Sequence, residues 1–346
     1  MIRLATFHDN EDLLALTASN PMQGAISLRI DRKPDFFRML QVRGESITFL
    51  LEKDEKLVGS FSASKSRVYI QGQPTTLYYL SDLKVDASYR AGVYAFRLVA
   101  RMYEYLQSKD ADLLFCTAAH GNSLVQPLFN GRAAIPKFTS LGQFQVFQVL
   151  PSGKSVSGTH LAIRNESLEQ PLSTLFNQFY KGYQLGKIVG ANKDTNVLVA
   201  YENSEPVAAL TLLDTLPMKQ NVVVGLQPHL RAVVALSNTL STYLPLYRLP
   251  EIGQVVRNLY VNNFYYKPSQ EKALLTLIQV ARNIAFRDQY HFLSIGLHEK
   301  DPLLKHFRGL PKFEFKSHGY ITSLKKNTQL VQAVRNGIPF EDYSLV

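Results

Sequence analysis

Short apolar runs broken by charged turns set the hydrophobic pattern of this chain, and they recur in one order twice. Phe49-Leu50-Leu51-Glu52 passes through Lys53-Asp54-Glu55-Lys56 into Leu57-Val58-Gly59-Ser60-Phe61, which predicts a β-hairpin. Val197-Leu198-Val199-Ala200, the turn Glu202-Asn203-Ser204-Glu205 and Val207-Ala208-Ala209-Leu210 predict another. Asp82-Leu83-Lys84-Val85 reads as a further strand, followed by a basic, glycine-bearing turn and a helix from about Tyr94 to Gln107. Ala95, Leu98, Val99, Met102, Tyr105 and Leu106 lie on one face of that helix. Leu274, Leu277, Ile278, Ala281, Ile284 and Ala285 form the same stripe later, and each helix leads into a short apolar strand, Leu113 to Thr117 and Phe292 to Gly296.

The echoes continue beyond those strands. His120, Phe129-Asn130-Gly131 and Ile135-Pro136-Lys137-Phe138 answer His298, Phe307-Arg308-Gly309 and Leu310-Pro311-Lys312-Phe313. Asp82 to Val85 is answered by Asn258-Leu259-Tyr260-Val261, and the offset stays between 175 and 179. Such constancy points to an internal duplication. The second copy carries an added segment that includes Val222 to Leu249, and Pro151 to Gly158 has the composition of a flexible connection. The expected organisation is therefore a domain over 1–150, a linker over 151–158 and a second domain over 159–346. The tail from Lys325 predicts one short helix, Gln329 to Arg335, closing the second domain.

Composition narrows the class. A length of 346 residues suits two domains, and 46% hydrophobic with 19% charged residues describes a globular chain. No apolar run reaches the ~20 residues of a membrane helix, and Met1 to Asn10 lacks the apolar core of a secretory signal, so the cytoplasm is the expected compartment. Cys116 lies in an apolar run and reads as a buried, inert thiol. The net charge of +10 is spread thinly, with 18 basic and 14 acidic residues up to position 160 and 20 and 14 beyond it. That diffuse field favours a polyanionic ligand without pointing to nucleic acid. The eight histidines show no metal-ligand spacing, so no metal is expected.

The turn after Val85 carries the candidate chemistry. A helix entered from such a turn leaves its first N–H groups unpaired, and with the dipole and Arg90 beside them they form an anion site. The run Asp82-Leu83-Lys84-Val85-Asp86-Ala87-Ser88-Tyr89-Arg90-Ala91-Gly92-Val93-Tyr94-Ala95-Phe96-Arg97-Leu98 resembles the GNAT acetyltransferase motif "D-L-x-V-x-P-x-Y-R-G-x-G-I-G-x-x-L". The order of elements resembles that superfamily in both halves. The resemblance implies an α/β fold of two tandem GNAT-like domains, each a mixed, mostly antiparallel central sheet flanked by helices.

It also implies acetyl-CoA or another acyl-CoA as co-substrate, with no metal. Leu83, Lys84 and Val85 would meet the pantetheine arm through backbone groups. Arg90, Ala91, Gly92, Val93, Tyr94 and Ala95 would meet the pyrophosphate, and Asn122 would stand at the family's asparagine near the cofactor. Ala91 and Val93 occupy places where the family often has glycine, unless Gly92-Val93-Tyr94 matches a Gly-Ile-Tyr variant. Asp82 holds a position where some members carry a glutamate, which makes it the candidate base for an attacking amine. The other reading of Asp82 is a strand carboxylate paired with Lys84 or Arg90. The family's acid tyrosine falls seven residues after the asparagine, where this chain has Phe129, and the second copy has Phe307. Another tyrosine, Tyr78 or Tyr79 among them, could replace it. The second turn, Phe264 to Glu271, lacks glycine and contains Pro268, so the second copy is expected to have lost its cofactor.

The function so implied is transfer of an acyl group, acetyl in the first instance, from CoA to the amine of a small molecule or peptide. Asn20 to Ile30 falls where the family lines its acceptor site. Neither a membrane nor nucleic acid is an expected partner, and the oligomeric state is not legible. The rival reading is a non-catalytic acyl-CoA-binding or regulatory module, favoured by the missing tyrosine.

Overall fold

The computed structural model describes every residue except 23, 25, 91, 92, 123, 124, 132–134, 155, 157, 158, 242 and 244–247. Its first half runs β1 (Ile2–Leu4), α1 (Asn10–Ala18), β2 (Ile26–Asp31), α2 (Arg38–Arg43), β3 (Glu45–Lys53), β4 (Lys56–Ile70), β5 (Gln73–Val85), α3 (Tyr94–Ser108), β6 (Leu113–Ala119), α4 (Gln126–Phe129) and β7 (Thr139–Val149). The second half follows with β8 (Ala162–Leu168), α5 (Gln170–Tyr180), β9 (Gly186–Lys187), β10 (Asn192–Glu202), β11 (Glu205–Asp214), β12 (Gln220–Leu226), α6 (Pro228–Leu240) and β13 (Val255–Val256). It ends with β14 (Asn258–Tyr266), α7 (Glu271–Arg287), β15 (Phe292–His298), α8 (Leu304–Phe307), β16 (Lys312–Ser323) and α9 (Thr328–Asn336).

Both expected hairpins form. Each turns through two residues of positive φ, Asp54 and Glu55 in one, Asn203 and Ser204 in the other. Such turns match the right-handed twist of the strands they join. Helix α3 buries Leu98, Val99, Met102 and Leu106 against Phe49, Leu51, Phe61 and Leu80 of the sheet. Gly59 permits the approach, because a Cβ there would stand 2.9 Å from Leu98 Cδ1. The other face of the same strands is polar where it is covered: Thr48, Ser60, Ser62 and Ser64 are buried beneath α1 and α2.

One sheet runs through both halves in the order β1-β3-β4-β5-β6-β16-β7-β15-β14-β11-β10-β8, with β9 on β4. Its centre is made by exchange. Strand β7 of the first half pairs with β15 of the second, and β16 of the second half pairs with β6 of the first. The two exchanged strands also pair with each other from Lys312↔Val149 to Ile321↔Thr139. A second, three-stranded sheet joins the halves again, since β12 of the added segment pairs with β2, Val222 opposite Arg29. The tail does more than close the second half. After α9, Glu341 pairs with Arg43 of α2 at 2.8 Å, while Phe340 packs on Tyr180 of α5 with ring centroids 4.7 Å apart.

Two measurements test this architecture. Residues 1–150 expressed alone leave the β6 edge without β16 and β7 without β15, so this fragment is expected to lack a cooperative thermal transition that the full chain shows. A fragment that melts as sharply as the full chain would contradict the exchange. His291 accepts from the Arg257 N–H at 2.9 Å at the base of β14 and β15. Burial and the Arg257 charge lower its pKa from 6.5 to about 4. The unfolded chain therefore binds the extra proton first, and this contribution to stability is lost as pH falls from 6.5 towards 4. His291→Asn, which keeps an acceptor without the titration, is expected to lose less stability than wild type over that interval in denaturant titrations.

Candidate active site at the splayed strands

Strands β5 and β6 pair in parallel at only three positions, Leu77↔Leu113, Tyr78↔Leu114 and Tyr79↔Phe115. Beyond them, Leu80 to Val85 and Cys116 to Ala119 have no pairing with each other. The cause is a bulge in β5. Ser62 faces Ser81 and Ser60 faces Lys84, so Asp82 and Leu83 together oppose Phe61. Asp82 takes φ +54°, a conformation that aspartate tolerates better than most residues. Its carbonyl accepts from Ser60 Oγ at 3.0 Å, which holds the bulge. A bulged strand bends and twists away from its neighbour, and here the result is an open cleft. At its vertex the hydroxyls of Tyr79 and Thr117 meet at 2.9 Å.

The wide end of the cleft leads to the start of α3. Asp86 accepts from the Ser88 N–H at 2.9 Å and shapes the turn. Val93 precedes the helix without a side-chain cap, and the first helical bond is Arg97 N–H to Val93 O at 3.0 Å. The N–H groups of Tyr94, Ala95 and Phe96 thus have no acceptor within the helix. No acid stands in this first turn. Arg90 donates through Nε to Val85 O at 3.1 Å and through its terminal nitrogen to Asn20 Oδ1, while Lys53 lies over the rings of Tyr89 and Tyr94 at 5.1 and 5.8 Å. Leu83 packs on the α3 side. Lys84 faces the other way, and burial with nearby Arg32 and Arg90 lowers its pKa. Val85, Arg90, Val93, Tyr94 and Ala95 gather at the cleft mouth; Asn122 is exposed just past β6, its N–H on Ala119 O at 3.1 Å. Ala91 and Gly92 lie outside the described residues.

The second half has a matching splay with a different content. Strands β14 and β15 pair from Asn258↔Phe292 to Tyr260↔Ser294 and then part. A bulge falls at Asn262, because Thr211 faces Asn263 and Leu212 faces Val261. Counted from the first pair of each splay, Asn258 answers Leu77 and Asn263 answers Asp82, so the bulge residue Asn262 falls one place earlier than Asp82 does. The expected match of Asp82 to Asn258 is corrected here: spacing between apolar runs does not register where along a strand the bulge falls. Past this splay, the Phe264 N–H donates to the Tyr180 hydroxyl at 3.0 Å. Tyr180 is 0% exposed among Tyr183, Phe264 and Phe340, so aromatic side chains of the chain itself fill this site. Helix α7 also opens with Glu271, a charge that opposes an anion at its N-terminus.

The carboxylate of Asp82 pairs with neither Lys84 nor Arg90. Arg32, from just after β2, grips both its oxygens at 2.8 Å, and each side chain is only 5% exposed. To take a proton, Asp82 must use an oxygen that already accepts from Arg32. On Phe129, the residue that the resemblance sets against the family's acid tyrosine, Tyr320 of the exchanged strand β16 stacks with centroids 4.1 Å apart and planes at 20°. The Tyr320 hydroxyl accepts from Gln126 Nε2 at 3.2 Å. A hydroxyl is thereby returned to this corner from the far end of the chain. His120 and His318 meet beside it at 3.0 Å. No spacing in the sequence signals Tyr320, since the contact depends on the strand exchange. Cys116 is buried and its thiol is pushed up to about 12, in line with an inert core residue. Among the described residues, no group of three or more acids, histidines and cysteines could hold a metal, and no helix is long and apolar enough to cross a membrane.

Comparisons with known proteins bear on the same elements. The profile of the acetyltransferase (GNAT) domain family matches residues 7–124, the stretch that contains the cleft and α3. No curated protein matches the chain by sequence. Among solved structures, Saccharomyces cerevisiae N-myristoyltransferase with bound myristoyl-CoA superposes with a TM-score of 0.60 at 12% identity, over 93% of this chain and 82% of that one. A GCN5-related N-acetyltransferase from Anabaena variabilis gives a TM-score of 0.54 at 9% identity, over 93% of this chain and 72% of that one. A probable N-acyltransferase from Enterococcus faecalis gives 0.50 at 12% identity, over 95% and 73%. Residues 7–124 thus match the acetyltransferase (GNAT) domain family, and the chain as a whole shares the fold of these N-acyltransferase structures.

Proposed function

We propose that this protein is an acyl-CoA-dependent N-acyltransferase whose first half holds the donor and whose second half serves as a structural partner. The observation that carries the reading is the contrast between the two splays: one open beside an uncapped, acid-free helix start, the other filled by Tyr180. In this reading Leu83 to Val85 offer main-chain groups to the pantetheine arm, and the N–H groups of Tyr94 to Phe96 with Arg90 receive the pyrophosphate. The bound thioester would supply an activated acyl carbonyl and a thiolate leaving group; acetyl is the donor proposed first.

The chain's own residues then manage two protons. The acceptor must attack as a free amine. Asp82 stands at the bend, and we assign it to take that proton once the incoming ammonium displaces one Arg32 N–H from its carboxylate. Tyr320 is assigned to hold the proton that quenches the departing sulfur. The clamp on Asp82 also favours a second reading, in which acyl-CoA binds without turnover.

Thermal unfolding with acetyl-CoA, longer acyl-CoAs and free CoA tests donor binding, since a ligand selective for the native state raises the midpoint. Release of free thiol with a panel of amines then separates enzyme from binding module. Tyr320→Phe is expected to lower kcat by about 10–100-fold with little change in KM for acetyl-CoA. No thermal shift with any acyl-CoA contradicts both readings; a shift without thiol release in any amine leaves the binding module.

A further inference from the structure

The sheet face opposite α3 has a character that the donor site does not explain. Where α3 meets Phe49, Leu51 and Phe61, the opposite face presents hydroxyls at alternate positions of β4, although α1 and α2 cover it. Buried polar atoms ordinarily find partners. Here Ser64 Oγ, Thr17 Oγ1 on α1 and Arg32 Nε are buried with no hydrogen-bond partner among the described residues. Arg32 spends both terminal nitrogens on Asp82, so its third donor points elsewhere.

The charges on this face are unbalanced in the same place. Asp82 is the carboxylate shared by Arg32, Lys84 and Lys219, which all lie within its electrostatic reach. The nearby acids are already taken, Glu341 by Arg43 and Asp342 by Lys187. Among the described residues Lys84 has no carboxylate in ion-pair contact, whereas the buried Lys219 is already held by an oxygen of Val346, the last residue of the sequence. Burial first, and then the neighbouring arginines, lower the proton affinity of both lysines, against the pull of Asp82.

We propose that the acceptor amine carries an anionic group, carboxylate or phosphate, which this face receives through Lys84 and the free Nε of Arg32. The proposal rests on the acyltransferase reading for its placement, because Asp82 joins the donor cleft to this face. An anion here satisfies an orphaned donor and gives Lys84 a counter-charge; a neutral acceptor of equal size does neither. The amine of the same molecule then faces Asp82 while its anion is held a few bonds away.

The test pairs each anionic amine with a neutral counterpart: glycine with glycinamide, and O-phosphoethanolamine with ethanolamine. Thiol release from acetyl-CoA is expected to favour the anionic member at least about tenfold in kcat/KM, equivalent to about 1.4 kcal/mol. The preferred pair tells carboxylate from phosphate. Lys84→Met is expected to lose most of that preference through KM for the amine, with Lys84→Gln in its place should the methionine variant not fold. Equal use of both members, or a preference unaltered by Lys84→Met, overturns the inference and leaves the acyltransferase reading intact. If no amine releases thiol, calorimetric titration of the protein in excess CoA with N-acetylglycine and with N-acetylglycinamide decides. Tighter binding of the acid supports the inference; equal or absent binding overturns it. Absence of any CoA-induced thermal shift, by contrast, counts against the acyltransferase reading itself.

Discussion

Parallel pairing between β5 and β6 ends after Tyr79 because Asp82 adopts a left-handed backbone and bends its strand aside. Most of what this protein can do follows from that interruption. It leaves a stretch of each strand without a ladder partner on one side, in a sheet that opens in the same way between β14 and β15. Unpaired backbone in such a place carries a cost unless something else meets it. Ser60 and Arg32 hold the bulge from one side, and the uncapped start of α3 lies at the open end. The site is therefore a product of strand geometry first and of side-chain chemistry second.

The second half shows what happens when the same geometry is put to another use. Its strands part in the same manner, yet Tyr180 meets the Phe264 N–H and a cluster of aromatic rings occupies the space. Aromatic packing there makes the second gap part of the core. The exchange of β7 and β16 then makes that half indispensable to the other, since β6 has a strand of the second half along its outer edge. Tyr320 reaches Phe129 by this route.

Much of the framework was legible from local pattern. The expected hairpin at Lys53 to Lys56 and the stripe from Ala95 to Leu106 depend on residues close in sequence, and both elements are present; the helix runs from Tyr94 to Ser108 against an expected Tyr94 to Gln107. The resemblance to GNAT proteins carried the fold. What escaped is non-local. The bulge at Asn262 follows strand pairing, so matching apolar runs placed its counterpart at Asn258. Arg32 reaches Asp82 from β2, whose place is fixed by β12 of the other half. The tail read as a terminal closure, and beyond closing the second half it carries Glu341 into contact with α2. In each case the decisive contact joins segments more than a domain's length apart or across different strands, where spacing holds no information.

The central claim is that only one of the two splays receives the donor. A crystal structure of the protein with CoA tests it most directly. The account predicts the pantetheine arm between β5 and β6, the pyrophosphate at the N–H groups of Tyr94 to Phe96, and the Tyr180 cluster undisturbed between β14 and β15. CoA lodged in the second splay, or bound away from both, would contradict it.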